Sequence, residues 1–330
     1  MSLNHSSIET MEDSSMDEIS PAVYMTAAAT LGVIGFFGFT MNLLVAIVIV
    51  KDSQTLWTPV NVVLLNLVTG DFLVAALGNP MAMGSAIAGG WYWGYKVCLW
   101  YAWFMSTLGF ASIGNLTVMA VERWLLVTRP MRTLSIRHAV ILAFCVWIYA
   151  LSLSLPPLFG WGSYGPEAGN VSCSVSWEVH DPETKSDTYI AFLFALGLVI
   201  PVLIIVSSYT SILLTLTNVK KRIGARGRRE AKVTKMVALM ITAFLLAWSP
   251  YAALALAAQY FYMRPSPSIA VLPALLAKSS ICYNPVIYAG LTAQFPRSLK
   301  KLFGIDITAS KPATSQETAL TNMNKQEEKK

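Results

Sequence analysis

One residue in this sequence sits where only chemistry justifies it. Lys278 lies within an apolar run, 269–291, about ten residues from its start. At 1.5 Å per residue that is roughly 15 Å deep, near the middle of a bilayer. A charged lysine there costs at least about 2.5–3.5 kcal/mol on insertion scales, so such residues face a bundle interior and serve a function. A lysine nearer a helix end would snorkel to the surface, and the depth of Lys278 argues against that. A primary amine held away from water can condense with an aldehyde to form an imine.

A protonated imine needs a counter-charge, and few acids are near enough. Glu122 adjoins Arg123, its simpler partner. Asp71 falls on the inner half of the second run and reads as a hydrogen-bond or ion site linked to Asn284. Glu167 lies six residues before Cys173, and tying Cys173 to Cys98 would fold that segment over the bundle. Elimination favours Glu167 as the counterion, with water or Asp71 as the alternatives. Phe244, Trp248 and Tyr251, spaced by four and three, share one helical face. That face suits an elongated apolar ligand, or core packing.

These residues need a scaffold, and composition specifies its solvent. The chain has 330 residues, 55% apolar and 13% charged, with mean hydropathy +0.54. A soluble domain carries about 25% charged residues. Seven apolar runs, at 22–50, 60–88, 95–127, 139–158, 189–216, 233–262 and 269–291, are each long enough to span lipid. A backbone crossing lipid must satisfy its own hydrogen bonds, so each run is expected to be a helix. Pro80, Pro157, Pro201, Pro250 and Pro285 fall inside these helices or near their ends, which bundled membrane helices tolerate. No fixed-period repeat stands out, unlike a secondary transporter.

Charge sets the orientation. With the N-terminus outside, only Lys96, Lys185 and Arg264 are outward; apart from Lys278, the other 20 of 24 basic residues face inward. The net charge of +6 is therefore a topological signal, not a nucleic-acid one. The basic stretch 220–229 reads as attraction to anionic lipid, with partner docking in addition. Cys98 and Cys173 both face the oxidising side and are expected to form a disulfide, whereas Cys145 and Cys282 read as small core residues. Trp91, Trp93 and Tyr95 read as interfacial anchors. Residues 1–21 form an outer tail without a signal-peptide pattern and with a glycosylation sequon at Asn4. A second sequon at Asn170 abuts the expected disulfide, and one at Asn115 lies mid-membrane and reads as chance. The seven-helix domain spans 22–303, and the polar tail 304–330 reads as disordered with phosphorylatable Ser and Thr.

The motifs also carry a resemblance. Glu122-Arg123-Trp124 resembles the Glu/Asp-Arg-Tyr switch of rhodopsin-like G-protein-coupled receptors. Trp248-Ser249-Pro250-Tyr251 and Asn284-Pro285-Val286-Ile287-Tyr288 resemble two further motifs of that family; Asn42, Asp71, Trp147, Pro201 and the cysteine pair fall where it expects them. Lys278, six residues before Asn284, is the feature that separates opsins from other members. Ala277-Lys278-Ser279-Ser280 looks like an opsin of the ciliary type, most similar to the encephalopsin-like and pteropsin-like group.

The resemblance implies an all-α bundle of seven transmembrane helices with a short amphipathic eighth. It implies 11-cis-retinal, or another isomer, on Lys278, in a pocket with Tyr101, Met105, Ser106, Gly109, Phe110, Phe194, Phe244, Trp248, Tyr251, Ala252 and Ala274. Photoisomerisation would push on Trp248 and open the cytoplasmic face to a heterotrimeric G protein of the Gi/Go class, with Glu122, Arg123, Asn284, Pro285 and Tyr288 as switch residues. Arrestin and a receptor kinase would use the C-terminal tail. The location implied is a ciliary or photoreceptor cell membrane.

Four departures matter. Tyr101 stands where vertebrate visual opsins carry their counterion glutamate, which favours Glu167 and a stable photoproduct. Trp124 replaces the usual tyrosine. No cysteine follows Cys282, so Phe295, Leu299, Leu302 and Phe303 are expected to hold helix eight. Thr292-Ala293-Gln294 differs from the tripeptide that vertebrate visual opsins use. A receptor for a diffusible ligand would leave Lys278 unexplained, and a retinal isomerase of the opsin type would keep Lys278 without needing to signal.

Overall fold

The computed structural model describes residues 19–167, 169–218, 225–263, 266–292 and 294–304. Seven helices among them are long and apolar enough to cross a membrane, which makes the chain a multi-pass membrane protein. They are α1 Pro21–Lys51, α2 Pro59–Ile87, α3 Tyr95–Thr128, α4 Ile136–Ser154, α5 Ser186–Thr217, α6 Glu230–Phe261 and α7 Pro267–Leu291. A short helix, α8 Gln294–Leu302, follows. Starts are specified locally: the Thr58 hydroxyl accepts from Asn61 N ahead of Pro59, and the Ser135 hydroxyl accepts from His138 N. The fourth apolar run was expected to continue to 158, but its α-helix stops at Ser154 because Pro156 and Pro157 turn the chain into a short 3-10 segment, Pro156–Phe159. The sixth helix extends further inward than expected, to Ala225.

Pro285 and Pro250 each free a carbonyl four residues earlier, and side chains take up the slack. Pro285 cannot donate to Ile281 O, so Asn42 Nδ2 of α1 donates there instead at 2.9 Å. A 3-10 turn, Ser280–Cys282, precedes it. Pro250 frees Leu246 O, which accepts from Ser249 Oγ at 3.1 Å. Wide π-turns at Val74–Gly78 and Ala195–Val199 precede Pro80 and Pro201 and absorb their rings.

Outside the bundle, the chain between α4 and α5 forms a hairpin. Strands β1 Tyr164–Pro166 and β2 Cys173–Val175 pair antiparallel, with Tyr164 opposite Val175 and Pro166 opposite Cys173. A disulfide joins Cys173 to Cys98 at the head of α3. Tyr164 and Tyr189 donate to Ser154 O at 2.6 Å and Leu153 O at 2.9 Å, tying hairpin and α5 to the end of α4. Gly162, at φ +82, lies against the Tyr189 ring and leaves no room for a Cβ. The two largest clusters of the buried core are an inner one around Leu64, Leu67, Leu116 and Met240 and an outer one around the disulfide, Tyr101 and Tyr189.

Replacing Asn42 by alanine should leave Ile281 O buried without its partner and destabilise the protein by about 1–3 kcal/mol. The thermal unfolding midpoint in detergent measures this, and an unchanged midpoint would show that another donor reaches Ile281.

Candidate functional site

A cavity of about 470 Å³ opens between the two core clusters, within the ~300–1,000 Å³ range of pockets that hold small ligands. Its wall is built by α3 (Tyr101, Met105, Ser106, Gly109, Phe110), α5 (Phe194), α6 (Phe244, Trp248, Tyr251, Ala252) and α7 (Ala274, Lys278), with Glu167 from the hairpin loop above. The structure thus brings onto one surface every residue that the resemblance assigns to a pocket. Gly197, unnoticed in the sequence, completes the α5 wall; a Cβ there would lie 2.7 Å from the Phe110 ring. The Phe244, Trp248 and Tyr251 rings do follow one another along α6, at centroid spacings of 5.7 and 6.0 Å. Trp248 Nε1 donates to Ser280 Oγ of α7 at 3.1 Å, next to the 3-10 turn.

At the outer end of the cavity Lys278 Nζ lies 3.9 Å from Glu167 Oε2, with the two side chains 12% and 16% exposed. Ser172 sits between them: Lys278 Nζ donates to its hydroxyl at 3.2 Å, and the hydroxyl donates to Glu167 Oε2. Tyr251 OH donates to Glu167 Oε1 at 3.1 Å. Burial opposes ionisation of Glu167. The Lys278 charge and hydrogen bonds from Ser172, Tyr251 and Ser174 outweigh it and hold the carboxyl below its usual range. Ser172 entered the sequence reading only as part of the Asn170 sequon. Asn170 is exposed, whereas the Ser172 hydroxyl is buried and committed to this network. Its position beside Cys173 was the available signal.

Asp71 lies deeper, where it accepts from Asn284 Nδ2 at 2.9 Å and Ser112 Oγ at 3.3 Å, so the expected link to Asn284 is present in the geometry. It faces the inner part of the cavity rather than Lys278. Asn115 is buried and accepts from Asn66 at 2.9 Å, which disqualifies it as a glycosylation site.

The inner face is tied shut by charge. Arg123 pairs with its neighbour Glu122 and reaches across to Glu230 of α6 at 3.0 Å. Glu230 was missed in the sequence, although it is the only acid in the basic stretch 220–235. Trp124 donates through Nε1 to Ser211 of α5 at 3.0 Å and stacks under the Arg129 guanidinium at 5.4 Å, a bond from a ring position where a phenol has none. Tyr288 packs edge-on against Phe295 of α8 at 5.5 Å. The hold on α8 is divided: Phe295 and Leu299 pack inward, while Leu302 and Phe303 are exposed toward lipid. Asp52 adds a polar clasp, accepting from Ser298 at 2.6 Å and Lys301 at 3.0 Å, and these bonds keep its carboxyl below its usual range. Asn4, the stretch 219–224, Ala293 and the tail from 305 lie outside the described residues.

The family model described as "7 transmembrane receptor (rhodopsin family)" matches residues 41–288. Pinopsin of Gallus gallus is 33% identical over 287 residues, covering 85% of this chain and 81% of that protein. The visual pigment-like receptor peropsin of Homo sapiens is 31% identical over 321 residues, covering 95% and 94%. The crystal structure of squid rhodopsin superposes with a TM-score of 0.80 at 28% identity, covering 91% of each chain.

Glu230 is about a third exposed (34%), so its pair with Arg123 should be worth no more than about 1 kcal/mol. Glu230→Gln should therefore raise the fraction of receptors with α6 swung away from α3 by up to about fivefold. Distances between spin labels on the inner ends of the two helices measure it, and an unchanged distribution would show that the pair does not hold the face closed.

Proposed function

The chain belongs to the rhodopsin family of seven-transmembrane receptors, and from that premise we propose that it is a light sensor carrying retinal as an imine on Lys278 and signalling to a heterotrimeric G protein. The observation that carries this reading is an amine at the head of an apolar cavity with a carboxylate 3.9 Å away. That donor set fits an elongated apolar aldehyde: Lys278 supplies the amine, Glu167 the counter-charge and the aromatic wall the apolar surface. Bound retinal, 11-cis or another isomer, supplies light absorption and a change of shape.

The rest is work for the protein's own residues. Glu167, Ser172 and Tyr251 hold negative charge at the Lys278 nitrogen and keep bulk water from it. Trp248 stands across the floor of the cavity, bonded to Ser280. Pressure on it is transmitted to two irregular stretches, Pro250 within α6 and the 3-10 turn before Asn284-Pro285 in α7. Movement there separates Arg123 from Glu230 and opens the inner face. Light can drive this only if the new ligand shape fits the open bundle better than the closed one. Gi/Go is the class we assign to the partner, with arrestin and a receptor kinase acting on the C-terminal tail. The N-terminus and a glycan at Asn4 lie outside, in a photoreceptor membrane.

Receptor purified with 11-cis-retinal should show a visible or near-ultraviolet band that Lys278→Ala abolishes, and a chain that takes up no chromophore would sink this reading. Light should then accelerate nucleotide exchange on Gi or Go; a photochemically active pigment without that response would be an isomerase of the opsin type. Glu167→Gln should move a visible band to shorter wavelength. For a pigment that absorbs in the ultraviolet in the dark, the same shift should appear in its photoproduct, and an unchanged spectrum in both would remove Glu167 as counterion.

A further inference from the structure

The network around Glu167 has a direction, and its two ends impose it. An ammonium has only hydrogens to give, and Lys278 Nζ gives one to Ser172, which passes its own to Glu167. At the other end stands Trp177, in the loop after β2. Its indole N–H is also donor-only and donates to Tyr251 OH at 3.1 Å. The ring is held in place by Phe194 at 5.7 Å and by Tyr251, nearly perpendicular, at 6.3 Å.

Tyr251 OH has one hydrogen and two lone pairs. Two acceptors compete for that hydrogen, Glu167 Oε1 at 3.1 Å and Ser174 Oγ at 3.0 Å. A charged acceptor makes the stronger bond, so the hydrogen goes to Glu167 while the indole fills a lone pair. Two chains of donors then converge on Glu167 from opposite sides. The arrangement is complete only when Glu167 is acceptor-only, which means ionised.

We propose that Trp177 is a positioning residue for the counterion: by filling one lone pair of Tyr251, it directs that phenol's single hydrogen onto Glu167 and keeps the carboxylate ionised opposite Lys278. This rests on the reading of Glu167 as counterion. The indole N–H also polarises the Tyr251 O–H, so its loss weakens the bond that favours an ionised Glu167. The ionisable groups facing Glu167 are Lys278 of α7, Tyr251 of α6 and Tyr101 of α3, and Trp177 itself does not titrate.

The test uses full-length, ligand-free receptor and infrared titration of the protonated-carboxyl signal, assigned to Glu167 by its loss in Glu167→Gln. Trp177→Phe keeps the ring contacts, deletes the donor and should raise the midpoint by about 0.4–1 pH unit, the equivalent of one lost hydrogen bond. In a Tyr251→Phe background the same change should move nothing further. An unchanged midpoint, or an equal shift in both backgrounds, overturns the proposal. Should Trp177→Phe not fold, Tyr251→Phe alone should release one indole N–H, seen by ultraviolet resonance Raman, and an unaltered tryptophan band overturns it. The titration needs no retinal, so a chain that forms no pigment defeats the chromophore reading and leaves the role of Trp177 still decidable.

Discussion

A single ammonium in the middle of a membrane needs a partner, and much of the outer half of this protein is arranged around supplying one. Among the described residues no helix acid pairs with Lys278; Asp71, deeper in the bundle, is engaged by Asn284 and Ser112. The partner therefore comes from a loop, and a loop can hold a charge in place only if it is itself held. The Cys98–Cys173 bridge, the two-stranded ladder and the Tyr164 and Tyr189 hydroxyls do that holding. Glu167 arrives as a carboxylate with donors around it because burial without them would neutralise it.

The same low-dielectric surroundings that make an unpaired charge expensive make an unpaired carbonyl expensive. Each proline inside a helix creates one, and the repairs differ in what they join. Ser249 repairs the Pro250 break within its own helix, leaving α6 free to bend there. Asn42 repairs the Pro285 break from α1, so α7 is anchored where it would otherwise be weakest. One break is repaired within its own helix and one from a neighbour, and Trp248 bonds to α7 beside the second.

At the inner face α3 and α6 meet in an ion pair with one buried and one partly exposed partner. Arg123 is buried and keeps Glu122 whichever way α6 moves, while its second partner, Glu230, is reachable by water. That asymmetry gives a contact that breaks at little cost, in contrast to the disulfide-tied outer side. Trp124, which departs from the usual tyrosine, joins α3 to α5 rather than to α6 and leaves that opening unobstructed.

Seven spans, the place of Lys278 within the last of them and the disulfide partners could all be read from the sequence. Lipid makes helices obligatory, and run length and charge asymmetry are local properties of the chain. Spacing likewise put Phe244, Trp248 and Tyr251 on one face. What α6 would face was another matter. Ser172, Trp177, Glu230 and the reach of Asn42 to Ile281 became visible only in the tertiary structure. These contacts join positions from 74 to 239 residues apart. Whether they meet depends on how each helix is rotated and tilted against its neighbours, which packing decides and hydropathy does not encode. Depth alone singled out Lys278 as a candidate without naming a role for it, but the direction of the hydrogen bonds around Glu167 needed the folded bundle.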